Sequence, residues 1–113
     1  MQNRDVPGRL VRNIDDVSMQ KDVFGETSDR ISWYPLTFDE NGNQKGCYLY
    51  KMEPNSSSDF HVHKNNEDYL IIEGELVESD GTILKAGDFV HYDAGTEHNS
   101  HSVSGCLILV AEW

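Results

Sequence analysis

The pattern of hydrophobic and polar positions changes at Ile31. Residues 1–30 are polar, carry most of the basic side chains and have only scattered apolar positions. From Ile31 onward, short β-rich runs alternate with turn-forming residues, and no apolar stripe persists at helical spacing. The pattern predicts an irregular lead-in over residues 1–30, with at most a short strand or helical turn. A single β-domain is predicted over residues 31–113.

Several short runs after Ile31 have the composition of β-strands, and the segments between them are rich in Gly, Asn, Asp and Ser. Asp80-Gly81 lies between two such runs and predicts a hairpin. Many short strands with frequent turns favour an antiparallel sandwich or barrel, whose interior has room for side chains or one small ligand. The predicted strands are Ile31–Phe38, Cys47–Met52, Phe60–His63, Tyr69–Glu73, Glu75–Val77, Thr82–Leu84, Asp88–Tyr92, His98–Val103 and Cys106–Glu112.

Composition narrows the function classes. The chain has 113 residues, enough for one domain, with 20 acidic and 9 basic side chains and a net charge of −11. This charge disfavours binding to nucleic acid or to an anionic membrane surface. Cys47 and Cys106 form no C-x-x-C motif and are expected to be small buried residues. Without an apolar leader or a long apolar run, we expect a cytoplasmic protein.

The histidines form two short groups that suggest a metal site. On a strand, His61 and His63 point to the same face because side chains alternate, and neutral imidazoles are common metal ligands. Glu67 follows after a turn, and His98 would come from a distant strand. An H-x-H motif alone often occurs by chance, so the argument depends on both groups together.

Residues 46–102 resemble the two signature motifs of the cupin superfamily. The first motif is matched by His61, His63, Glu67 and Gly74, and the second by Gly87, Gly95 and His98. Three positions depart from the motifs: Gly46 lies further upstream than expected, Asp93 replaces a proline and Ser102 replaces an asparagine. None of these departures affects a metal ligand of the family.

Within the superfamily, residues 67–76 and 105–110 are most similar to one branch. It contains the cupin domain of ChrR-type anti-sigma factors and the acetylacetone-cleaving dioxygenases. The resemblance implies an RmlC-like double-stranded β-helix, or jelly-roll barrel. It also implies one divalent transition metal held by His61, His63, Glu67 and His98. Fe²⁺ and Zn²⁺ are the leading candidates, ahead of Mn²⁺, Ni²⁺ and Cu²⁺, and the absence of thiolate ligands disfavours a zinc-finger-type site.

Strand alternation predicts which residues line the barrel interior. Tyr69 and Ile71 share parity with Glu67, and Ser100 and Ser102 share parity with His98. Tyr50 is expected to shape the pocket from the neighbouring strand. An alternative is that these aromatic residues only fill the core. His101 is expected at the surface or a sheet edge, and the facing of His91 stays open.

Three functions remain open on the sequence alone. The chain could be a dioxygenase-type metal enzyme acting on a small oxygenated molecule such as a β-dicarbonyl. It could instead be a metal- or ligand-binding sensor cupin without the sigma-binding domain of ChrR-type proteins. A metal-free cupin using a histidine base is disfavoured by the full ligand set. The expected partners are a small molecule and a second copy of the chain in a homodimer.

Overall fold

The computed structural model describes residues 4–21, 28–59 and 61–113, and these residues contain ten strands and no helix. The predicted all-β class is confirmed. The strands are β1 (Ile31–Pro35), β2 (Gly46–Met52), β3 (Ser56–Ser57), β4 (His61–Val62), β5 (Glu67–Glu78), β6 (Ile83–Lys85), β7 (Phe89–Tyr92), β8 (Glu97–His98), β9 (Ser100–Ser102) and β10 (Cys106–Glu112).

The strands form a curled antiparallel sheet in the order β1-β2-β10-β5-β9-β3, and β6 and β7 also pair with β5. β4 and β8 form a separate two-stranded ribbon. Apolar side chains on the inner face of the sheet, including Met52, Ile71, Ile108 and Val110, form the core. Burial of this face supplies the main driving force for the fold.

Strand β5 is longer than the sequence predicts. The interpretation of Tyr69–Glu73 and Glu75–Val77 as separate strands is wrong, because one strand runs through both. It contains a β-bulge: on β10, Leu107 pairs with Glu73 but Ile108 pairs with Ile71, so Ile72 is left over. The extra residue reverses the alternation of side chains along the strand. The buried side chains are at odd-numbered positions before it and at even-numbered positions after it.

Other boundaries differ for local reasons. The predicted strand His98–Val103 is split into β8 and β9, because β8 pairs with β4 whereas β9 pairs with β3 and β5. The pair Ser56–Ser57 forms β3, which was not predicted since two serines carry no apolar alternation. Phe60 and the side chain of His61 lie outside the described residues.

The predicted hairpin at Asp80-Gly81 is confirmed and joins β5 to β6. The Glu78 amide donates to the Thr82 carbonyl at 2.9 Å, and the Gly81 amide donates to the Glu78 carbonyl at 2.8 Å. The Asp80 carboxylate accepts the Thr82 amide at 2.9 Å, which closes the turn. This hairpin fixes the end of β5, where Glu78 lies.

The segment before β1 contributes only isolated bridges where it is described. Gln20 and Trp33 exchange two backbone hydrogen bonds of 2.7 and 2.8 Å, which tie the segment to β1. Val23, one of the scattered apolar residues of the lead-in, lies in the undescribed residues 22–27. Both cysteines are free thiols, Cys106 buried and Cys47 partly buried. In the described part of the chain, no helix is suited to crossing a membrane.

Candidate metal centre

The ribbon of β4 and β8 brings the two predicted motifs together. His61 and His98 are register partners across this ribbon. His63 follows β4 directly, and its backbone is held by hydrogen bonds to the Gly95 amide and the Thr96 carbonyl of 2.7 and 2.8 Å. Glu67 opens β5. Residues far apart in sequence therefore meet at one end of the sheet.

His63, Glu67 and His98 form a buried cluster with the character of a metal site. Glu67 Oε1 lies 3.4 Å from His63 Nε2 and 3.8 Å from His98 Nε2. One ligand atom from each residue lies within 4.8 Å of the others. The side chains are only 3%, 13% and 6% exposed, respectively. The side chain of His61 is not part of the described structure, so the fourth ligand stays a prediction.

A hydrogen bond to Thr96 determines which nitrogen of His63 faces Glu67. His63 Nδ1 lies 2.9 Å from Thr96 Oγ1. The Thr96 hydroxyl donates its single proton to the Asp93 carbonyl at 2.7 Å, so toward His63 it acts as an acceptor. Nδ1 of His63 is therefore the N–H donor, and Nε2 is the nitrogen directed at Glu67.

His98 is held in a similar way by Glu78. Its Nδ1 lies 3.3 Å from Glu78 Oε2. Glu78 was not found by sequence reasoning, because strict alternation from Glu67 turns it outward and only the bulge brings it inside. The available signal was its shared parity with the apolar Leu76.

The cluster needs a positive charge. Two imidazole nitrogens and a carboxylate converge, and a carboxylate buried this deeply is costly without compensation. A proton on an imidazole or a bound cation would supply that compensation. Two imidazoles and a carboxylate also form a suitable donor set for a divalent transition metal. The residues present therefore fit the metal that the fold family implies.

The cluster opens onto a cavity of about 410 Å³. Its walls are largely apolar and aromatic, and they include Trp33, Phe38, Met52, Ile108 and Val110. Trp33, Phe38 and Tyr48 pack edge to face, with ring centroids 5.2–5.6 Å apart. A cavity of this size and character suits a small organic molecule.

The predicted lining residues fall into two groups. Tyr50, Tyr69 and Ser100 line the cavity beside the cluster. Ile71 and Ser102 are buried but lie outside the lining, in the core around it. The Ser102 hydroxyl donates to the Glu75 carbonyl at 2.6 Å, so this side chain serves the sheet.

Glu112 adds a second carboxylate to the cavity wall. It accepts a hydrogen bond of 2.9 Å from the Tyr48 hydroxyl, and Asn65 Nδ2 lies 3.4 Å from its other oxygen. Burial raises the pKa of the Glu112 carboxyl, and burial also raises the pKa of Tyr48 well above its usual value. Sequence reasoning missed Glu112, although it continues the inward alternation of Ile108 and Val110.

The other two histidines lie outside the cluster. His91 is exposed on the outer side of β7, between Asp68 at 2.5 Å and Asp93 at 2.8 Å. His101 lies on β9, where Nδ1 is 2.6 Å from the Ser57 hydroxyl of the edge strand β3. Each side chain is thus engaged in a local surface contact.

The sequence family follows from comparison with known proteins. The family described as the ChrR cupin-like domain matches residues 16–113. The chain belongs to this family. The predicted branch of the cupin superfamily is thereby confirmed. No curated protein matches the chain.

Solved structures confirm the RmlC-like cupin fold. The anti-sigma factor ChrR of Rhodobacter sphaeroides, in complex with SigE, aligns with a TM-score of 0.71 and 19% identity over 90% of this chain. The chain spans 52% of that protein. A candidate acetylacetone dioxygenase of Methylibium petroleiphilum aligns with a TM-score of 0.77 and 16% identity, over 99% of this chain and 81% of that one.

A third structure, an RmlC-like cupin of Shewanella frigidimarina, aligns with a TM-score of 0.67 and 15% identity. The alignment covers 89% of this chain and 86% of the Shewanella chain. At these identities the similarity establishes the fold of this ChrR-like cupin. Relatives of both regulatory and enzymatic kinds share that fold.

Proposed function

We propose that this ChrR-like cupin is a mononuclear metal enzyme of dioxygenase type, acting on a small oxygenated organic molecule such as a β-dicarbonyl. The observation that carries the proposal is the buried cluster of His63, Glu67 and His98 on the wall of an apolar cavity. A structural ion needs no such cavity, whereas a substrate does.

The residues of the chain have separate roles in this proposal. His63, Glu67 and His98 would hold the metal, together with His61 as the predicted fourth ligand. The metal, when bound, would supply Lewis-acid activation of the substrate and a site for dioxygen. Thr96 orients the imidazole of His63 through its hydrogen bond to Nδ1. The apolar walls bind the carbon skeleton of the substrate and exclude water.

Oxygen consumption tests the proposal. Protein loaded with Fe²⁺ is mixed with a panel of β-diketones while dissolved oxygen is recorded. We expect uptake with at least one diketone and its loss in His98→Ala. His101→Ala is the matched control, since it removes a histidine of β9 that contacts the edge strand β3 outside the cluster. A fully loaded protein that consumes no oxygen with any diketone would contradict the proposal.

A regulatory role is the second candidate. Its support is the similarity to ChrR, which was solved in complex with a sigma factor and of which this chain spans about half. In that case the same cavity would bind an effector, and the protein would have a macromolecular partner. Stoichiometric capture of one defined protein, without turnover of any diketone, would favour this role over the enzymatic one.

A further inference from the structure

Glu78 is the most deeply buried carboxylate around the candidate metal centre, with a side chain only 2% exposed. It lies at the end of β5 and accepts hydrogen bonds on both oxygens. The hydroxyls of Tyr69 and Tyr92 donate to Oε1, and the Ser100 hydroxyl donates to Oε2. Four groups, including His98 Nδ1, thus converge on one side chain.

No lysine or arginine within the described ranges forms a salt bridge with Glu78. Its burial is instead compensated by hydrogen-bond donors, which engage both of its acceptor oxygens. Burial and the neighbouring Glu78 raise the pKa of Tyr92, which keeps this phenol a donor. The other neighbours of the Glu78 carboxylate are all hydrogen-bond donors. His98 Nδ1 therefore also acts as a donor and gives its N–H to Glu78.

We infer that Glu78 is a positioning residue of the metal centre, a conclusion that rests on the proposed metal site. It fixes His98 as the Nδ1–H tautomer and turns the Nε2 lone pair toward Glu67. A carboxylate behind a ligating imidazole also increases the basicity of that ligand. Glu78 does not itself contact the cavity centre, where the substrate would bind, and so acts through His98.

The bulge in β5 makes this arrangement available. Glu67 and Glu78 lie on the same strand at an odd separation, so regular alternation would place them on opposite faces. With Ile72 left out of register, both carboxylates point inward. One strand consequently supplies a ligand at its beginning and the residue that orients a second ligand at its end.

Zinc affinity of the variant Glu78→Gln tests the inference. The amide is close in shape but uncharged, and it presents one acceptor oxygen instead of two. Competition with a chromophoric chelator should show the zinc Kd rising about 10- to 100-fold. Ser56→Ala is the matched control, because it removes the hydrogen bond of another buried residue, to the Glu53 carbonyl, away from the site. Its zinc Kd should stay within about twofold of wild type.

A second measurement separates positioning from a general effect on folding. Nitrogen-15 NMR of the metal-free wild-type protein at about pH 9, where an imidazole is neutral, reads the tautomer of His98 directly, and we expect Nδ1–H. An Nε2–H tautomer, or an unchanged zinc Kd in folded Glu78→Gln, would overturn the inference. Wild-type protein that binds no zinc would contradict the proposed function, whereas the tautomer would still decide the role of Glu78.

Discussion

At the scale of single residues, the candidate metal centre depends on two side chains that lie behind its histidines and do not line the cavity. The Thr96 hydroxyl and the Glu78 carboxylate each engage one nitrogen of a histidine. Both imidazoles then present the other nitrogen to Glu67. This preorganisation reduces the rearrangement that a metal would require on binding.

Exposed His91 provides a residue-scale prediction about pH and stability. Hydrogen bonds to Asp68 and Asp93 raise the pKa of His91, and the hydrogen bond to His91 lowers the pKa of Asp68. The contribution of His91 is complete below its unfolded pKa of 6.5 and is lost as pH rises through the higher folded value. The contribution of Asp68 is lost as pH falls below 3.8 through its lower folded value.

We therefore expect His91→Gln to reduce the free energy of unfolding more at about pH 5.5 than at about pH 8.5. Urea denaturation of metal-free protein at both values measures the difference. In an Asp68→Asn background, where the leading partner of His91 is neutral, the pH dependence of the His91→Gln effect should shrink. An effect of the same size at both pH values would contradict this account.

At the scale of elements, the bulge in strand β5 determines which residues of the candidate site can be predicted from the sequence. The motif residues were predictable because each group lies within a few residues of a turn, where local spacing dictates the face. Glu78 was not, because one residue out of register reverses the alternation beyond Ile72. Strand pairing across the sheet produces this bulge, and the local sequence indicates its effect only through the shared parity of Glu78 with the apolar Leu76.

A substitution of Gly74 tests the pairing of β5 with β10 at the scale of elements. Its φ is +79°, and a Cβ at this position would lie 2.0 Å from the carbonyl oxygen of Gly105, the residue that precedes β10. Gly81 has a similar φ of +89° but open space around it. We expect Gly81→Ala to cost about 1–2 kcal/mol from backbone strain alone. Gly74→Ala should cost about 1–3 kcal/mol more, because backbone must also move.

Urea denaturation of the two glycine variants measures this difference directly, with Gly81→Ala as the control for positive φ. Displacement of β10 against β5 should also weaken zinc binding in Gly74→Ala. Equal losses of stability in the two variants would show that the close approach of Gly74 to Gly105 has no energetic role.

At the scale of the whole molecule, a net charge of −11 opposes self-association, while exposed apolar surface favours it. Leu70 and Phe89 are register partners on β5 and β7 and are 40% and 66% exposed. The homodimer predicted from the sequence would cover such surface. The dimer should also weaken at low salt, where charge repulsion is less screened.

Light scattering of the purified protein at physiological salt tests the prediction. We expect a mass about twice the 12.8 kDa of one chain. Dilution and lower ionic strength should both shift the population toward the single chain. A monomer mass at all concentrations would contradict the dimer and leave the metal centre unaffected, since its described residues come from one chain.

The central claim is that one cation binds where His63, Glu67 and His98 converge. An anomalous difference map, from crystals grown with Zn²⁺ and recorded at the zinc edge, tests it most directly. The account predicts one peak per chain in contact with these three side chains, with His61 as the fourth ligand. A map without a peak at this cluster, under conditions where zinc is in excess, would contradict it.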